Sequence, residues 1–229
     1  MNKTGWIIFS AVTVVILGGL VAWTRIANPP IDVSGVENNS VIAASDASGS
    51  IADHVKKGKN GTVTLVEYGD YQCPSCGSAF PGLQQLLEDR GDDLTFIFRN
   101  FPLTTMHPNA RAAASAAEAA GLQGKYWEMH DILYKNQDEW SSLDTKQRTT
   151  VFTNYAETLK LDADTFTTDM ASSAVSKKIA FDMAMGKKEN IEGTPTFYLN
   201  GNVLDAQTAN ALIQGDTSAI EAKIDELLK

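Results

Sequence analysis

The chain of 229 residues holds only two cysteines, Cys73 and Cys76, in the run Cys73-Pro74-Ser75-Cys76. Two thiols at this spacing on the first turn of a helix lie within bridging distance without backbone movement, so the pair can alternate between dithiol and disulfide. The spacing also makes the two sulfurs unequal. Cys73 is expected to stand exposed at the helix mouth, facing unpaired N–H groups and the positive end of the helix dipole, which favour its thiolate. Cys76, one turn in, is expected to be covered and less ionised. Cys73 then attacks and receives, and Cys76 resolves the mixed disulfide. Pro74 falls on the first helical position, where its missing N–H removes no hydrogen bond. The Ser75 hydroxyl offers the thiolate one hydrogen bond and no positive charge.

Other chemistry finds less support. His54, His107 and His130 are scattered and no second cysteine pair exists, so zinc is not indicated, and no metal or cofactor is expected beyond the pair's own disulfide. An inert bridge stays open as an alternative. The formal net charge of −9 argues against nucleic acid as a partner, which rewards clustered Lys and Arg. Trp127 and His130, one helical turn apart, read as packing residues rather than ligands.

The elements that position the pair follow from periodicity. A β-rich run from Thr62 to Tyr68 ends in Gly69-Asp70 and leads into Cys73. Apolar residues at helical spacing then continue to Gly91, and a second strand is expected over Leu94–Phe98. From about 104 to 190 the pattern is helical, beginning with an Ala-rich stretch. It returns to β character at Thr196–Leu199, with Asn200-Gly201 as a hairpin turn, and a last helix is expected from about Ser218 to Leu228. The run Lys56-Lys57-Gly58-Lys59 reads as a solvated loop. This order is an α/β plan with a helical block interrupting the sheet.

Upstream, Gly5 to Trp23 contains no charged residue and, at ~1.5 Å per residue, spans about 28 Å, close to a bilayer core. We read residues 1–23 as a single-pass membrane anchor with Trp6 and Trp23 at the interfaces, in preference to a cleaved signal peptide, for which no Ala-x-Ala-like site follows directly. Residues 24–50, rich in Ser, Asn, Ala, Gly and Pro, read as a flexible linker, and 51–229 as the folded domain.

The run Glu67-Tyr68-Gly69-Asp70-Tyr71-Gln72-Cys73-Pro74-Ser75-Cys76, the turn Phe98-Arg99-Asn100-Phe101-Pro102-Leu103, the segment Lys125 to His130 and the strand entry Gly193-Thr194-Pro195-Thr196-Phe197 together resemble the DsbA-like thioredoxin-fold family. The resemblance covers roughly Gly61 to the C-terminus. It implies a thioredoxin-like fold with an inserted helical subdomain, and a protein thiol:disulfide oxidoreductase. It further implies that Pro195 is cis and packs against the cysteines, with the Thr194 backbone offered to an extended substrate, and that Glu67 is a buried carboxyl able to relay protons to Cys76. The basic partner that often accompanies this acid is replaced here by phenylalanine, with only Arg99 nearby. Strong oxidants of the family carry histidine between the cysteines, so Ser75 implies intermediate strength. The expected role is disulfide formation in secreted or surface proteins, with unfolded clients and a quinone-linked membrane reoxidase as partners and the domain on the extracytoplasmic side of the cell membrane. A tethered reductase or isomerase, and a redox-inert binding module, are the alternatives.

Overall fold

The computed structural model describes residues 3–27 and 31–229, which fall into two compact units, Met1–Asp32 and Val33–Lys229. The first holds one helix, α1 (Lys3–Ala27). Several of its apolar side chains, among them Trp6, Phe9, Val14 and Leu17, are exposed. Among the described residues no helix is long and apolar enough to cross a membrane. The anchor expected over residues 1–23 is therefore not shown, and part of it, including the side chains of Ile7, Ile8, Val21 and Ala22, lies outside the described residues.

The second unit is built on a five-stranded sheet. Its strands are β1 (His54–Lys57), β2 (Val63–Gly69), β3 (Leu94–Asn100), β4 (Thr196–Leu199) and β5 (Asn202–Val203), in the order β1-β3-β2-β4-β5. β2 and β3 are parallel, and the helix α2 (Pro74–Arg90) makes the crossover between them. All other pairings are antiparallel. Between β3 and β4 run six helices: α3 (Ala110–Leu122), α4 (Tyr126–Lys135), α5 (Gln137–Trp140), α6 (Thr145–Thr158), α7 (Ala163–Met170) and α8 (Ser173–Lys188). Helices α9 (Ala206–Ile213) and α10 (Ser218–Leu227) close the chain. Several starts are written in the sequence: Asp144, Asp162, Ser172 and Asp205 each accept backbone N–H bonds at the heads of α6, α7, α8 and α9.

Side chains alternate across the sheet. Val63, Leu65, Phe96, Phe98, Phe197 and Leu199 face the core shared with α2 and the helical block. Tyr68 and Arg99 turn to the opposite face, where residues 33–53 lie. The expected linker over 24–50 is corrected from residue 33 onward, because Val33, Asn38, Ile42 and Ala47 are buried in the folded unit. The reason is Arg99, fully buried, whose guanidinium donates to Asn38 O at 2.6 Å, Ser40 O at 2.8 Å and Asp53 Oδ2 at 2.8 Å. A buried arginine needs several acceptors, and the backbone of this segment supplies them. Lys178 joins the cluster through Asp53 at 2.9 Å and Asp182 at 2.6 Å, and Asp182 in turn accepts from the Asn100 backbone N–H. The expected loop over Lys56–Lys59 is corrected too. Lys56 and Lys57 belong to β1, which has no hydrophobic alternation of its own and forms by pairing with Phe96 and Thr95 of β3.

Arg99→Ala removes one of the two cations of Asp53 and leaves the Asn38 and Ser40 carbonyls without their donor. Urea unfolding should show a loss of about 3–5 kcal/mol, whereas a surface site such as Arg111 should change by under ~0.5 kcal/mol.

Candidate active site

The loop between β2 and α2 carries the cysteines, and the insertion holds that loop from outside. Asp70, fully buried, accepts from the Gln72 N–H at 2.8 Å with one carboxylate oxygen. With the other it accepts from the Leu103 N–H at 2.9 Å and meets His107 Nδ1 at 2.8 Å. Gln72 Oε1 accepts from the Asn109 N–H at 2.6 Å. Gln137, at the head of α5, donates through Nε2 to Tyr71 O at 2.7 Å and Cys73 O at 2.9 Å. The backbone that presents Cys73 is thus fixed by donors and acceptors from distant parts of the chain.

Cys73 is the N-cap of α2 and Pro74 its first residue. Both sulfurs are free, so the site is in its dithiol form. The Thr194-Pro195 peptide bond is cis. Thr194 O lies 3.3 Å from Cys73 Sγ and accepts its hydrogen bond in the thiol form. Cys73 is accordingly only 7% exposed, which corrects the expectation of an open sulfur: the Thr194-Pro195 loop, far away in sequence, covers it. Cys76 is 1% exposed.

The two thiols are pushed apart electrostatically. Hydrogen bonding from the Cys76 thiol is the largest influence on Cys73; against the opposing effect of burial, and with help from the backbone N–H groups of Cys76 and Ser75, it brings Cys73 down to about 5. Burial, then the Cys73 thiolate it must serve and the Glu67 carboxyl, raise Cys76 well above the ordinary thiol value. Glu67 is buried and, chiefly by desolvation with a further push from the Cys73 charge, is raised to about 8. It stands in register with Phe98 on one side and Phe197 on the other, and its Oε1 has no hydrogen-bond partner among the described residues. Arg99, one position along β3, points to the opposite face and is taken up by Asp53 and Asn38. Among the described residues no group of three or more His, Cys, Asp or Glu could hold a metal ion.

A sheet of this order interrupted by helices, with a Cys-x-x-Cys pair at a helix start and a cis proline against it, can be compared with known proteins. Residues 52–215 match the family model described as Thioredoxin. The chain belongs to the thioredoxin family. Its fold is also that of the DsbA proteins among solved structures. A thioredoxin-like oxidoreductase from Silicibacter pomeroyi is 28% identical, with a TM-score of 0.60 over 76% of this chain and 91% of that one. BdbD from Bacillus subtilis, in its oxidised form, has the same fold, with a TM-score of 0.65 at 23% identity over 83% of this chain and 99% of that one. The Na(+)/H(+) antiporter NhaA 1 of Salinispora arenicola is 43% identical over 149 residues, which cover 65% of this chain. The chain spans 22% of that antiporter's length.

The structure brings together every residue that the sequence singled out: Cys73, Pro74, Ser75, Cys76, Glu67, Thr194 and Pro195. Ser75 contributes through its backbone N–H, with its side chain exposed, rather than through the hydroxyl. His130 and Trp127 are core rings, 5.1 Å apart. Sequence reasoning missed Asp70, His107, Gln72 and Gln137. Asp70 precedes Cys73 closely enough to have been noticed, while His107 and Gln137 reach the loop only through the fold of the insertion.

Two measurements test these electrostatics. Thiolate absorbance of the reduced protein at 240 nm should rise in one step near pH 5 and vanish in Cys73→Ser. Glu67, an acid raised from 4.5 to about 8, favours the fold most below pH 4.5, and that contribution is lost as pH rises to about 8. Reduced Glu67→Gln should therefore gain on the parent across that window, by roughly 3–5 kcal/mol at pH 8.5 in urea unfolding, and show little advantage at pH 4.

Proposed function

We propose that this chain is an oxidase that introduces disulfides into secreted or surface proteins folding beyond the cytoplasmic membrane. The observation that carries the reading is the placement of the two thiols, Cys73 as the N-cap of α2 and Cys76 buried one turn in, which lowers the first to about 5 and raises the second. Whatever stabilises the Cys73 thiolate stabilises the reduced enzyme, and so makes the disulfide a better oxidant. A value near 5 lies between the roughly 3.5 of a strongly oxidising member of the fold and the roughly 7 of a reducing one, which supports a potential of intermediate strength.

A client thiolate attacks Cys73 Sγ, forming the mixed disulfide and breaking the Cys73–Cys76 bond. Cys76 leaves and, having a raised pKa, takes a proton, for which Glu67 is the buried source beside it. A second client thiolate then attacks the client sulfur of the mixed disulfide. The client leaves oxidised, and Cys73 leaves as a stabilised thiolate. Two electrons pass to the cysteine pair; of the two client protons, the equivalent of one ends on Cys76 and the other goes to solvent. A quinone-linked membrane reoxidase returns the pair to the disulfide. Tethering by the N-terminal segment is part of the proposal, supported by the uncharged run Gly5 to Trp23 and its single helix.

A second reading, in which the dithiol serves an integral membrane transporter, is favoured by the similarity to part of an antiporter. Trapping separates the two. In cells, Cys76→Ser should accumulate mixed disulfides on non-reducing gels, and Cys73→Ser should not, because only the former keeps the nucleophile while losing the resolving thiol. A ladder of many secreted clients supports the oxidase. A single trapped membrane protein supports the second reading, and equal trapping by both variants would reverse the roles of the cysteines.

A further inference from the structure

Glu67 has no visible way to exchange its proton. It is 1% exposed, enclosed by β3 and β4, and the sulfurs it serves are covered as well. Yet each turn of the cycle proposed above draws a proton from it and must return one from water. A buried donor that turns over needs a polar path to solvent.

One side chain lies where such a path would run. Tyr134, near the end of α4, packs edge-on to Phe98, the register partner of Glu67, with ring centroids 6.2 Å apart. It is held between Tyr71 at 5.0 Å and Phe80 at 5.4 Å. It is 6% exposed, and its hydroxyl is buried with no hydrogen-bond partner among the described residues, as is Glu67 Oε1. Buried polar groups are nearly always satisfied, and with His130 Nε2, whose ring lies 5.1 Å from that of Tyr134, three orphan polar atoms share this aromatic box and call for a common explanation. Tyr134 also lines a cleft of about 360 Å³ between the start of α2 and the insertion, walled by Pro74, Gly77, Asn136 and Gln137. The residue thus stands between the acid's enclosure and a cleft roomy and polar enough to hold water.

We propose that the Tyr134 hydroxyl passes protons between the cleft and Glu67. The hydroxyl gives its proton toward Glu67 and takes one from cleft water, so it returns to its starting state and no net charge is left in the box. The charges of Cys76 and Glu67 reach it most strongly after the effect of burial, and all of these hold it protonated, the form a relay needs. Besides Glu67, the ionisable groups facing this box are Cys76 from α2, Asp70 and Tyr71 from the loop, and His130 from α4; Lys135 and Asp138 line the cleft. Tyr134 is a positioning and relay residue, with no claim to touch the client.

The inference rests on the proposed cysteine and Glu67 chemistry but not on the direction of electron flow in cells. It is tested on the full chain by stopped-flow reduction of the Cys73–Cys76 disulfide with dithiothreitol from pH 5 to 9, for the parent, Tyr134→Phe, Glu67→Gln and the double variant. Tyr134→Phe keeps the ring and should unfold in urea no earlier than the parent. It should slow reduction at least about tenfold at pH 8, where free protons are scarce, and little at pH 5; Glu67→Gln should slow it by up to ~10²-fold, as loss of a general acid does. The double variant should be no slower than Glu67→Gln alone. A Tyr134→Phe defect of equal size at every pH, a parental rate, or additive effects in the double variant would overturn the relay. If the parent exchanges rapidly with dithiothreitol but traps no clients in cells, the oxidase reading fails and the relay stands on its own result.

Discussion

A negative charge on the Cys73 sulfur, kept beside a neutral Cys76, is the condition on which the rest of this site depends. The helix start alone would stabilise that charge by only about 0.3–1 kcal/mol. Here it is joined by the Cys76 thiol and two backbone N–H groups. These donors lie in the first turn of α2, and the turn before β4, far away in sequence, covers the sulfur only because the sheet places β4 beside β2. The same charge acts downward on Glu67 and Cys76, keeping both protonated. Once the sulfur is tied up in a disulfide its charge disappears, and the proton on Glu67 is held less tightly. Redox state and proton affinity are thereby joined in one small volume.

Holding this arrangement requires that the loop not yield. Asp70, Gln72 and Gln137 fasten the loop to the insertion by hydrogen bonds of 2.6–2.9 Å. The opposite face of the sheet is braced by Arg99, Asp53, Lys178 and Asp182, a buried cluster in which each cation has at least one carboxylate within 3 Å. Such clusters contribute little net stability compared with apolar packing, but losing one member leaves a buried charge exposed to the full cost of desolvation. The cluster therefore fixes where residues 33–53 lie more than it adds to the strength of the fold.

How much of this was legible in the sequence depended on the range of the interaction. The strand, turn, cysteine pair and helix from Val63 to Arg90 are local, and alternation, the Gly69-Asp70 break and Pro74 announced them. The helical block and the Asn200-Gly201 turn were equally local. β1 was not legible, since His-Val-Lys-Lys has no strand pattern and becomes a strand only against β3. Residues 33–50 have the composition of a linker, and nothing near them in sequence declares that their carbonyls are wanted by Arg99. The covering of Cys73 is of the same kind, for it needs Thr194. The identity of Glu67 as a site residue came from resemblance; its burial without a cation could be seen only once Arg99 was found on the other face.

The sheet's two edges bear on a hazard that the proposed unfolded clients would bring. Unfolded chains carry extended segments with unsatisfied backbone groups, and any long, flat sheet margin beside them is a template for strand addition and co-aggregation. Here one margin is β5, only two residues long, and the other is β1, four residues long and carrying Lys56 and Lys57. A short margin offers too few ladder bonds to retain a client, and a charged one discourages a second sheet from stacking alongside. In the proposed function, contact with the client is left to the sulfur and the turn beside it, where release is a chemical event.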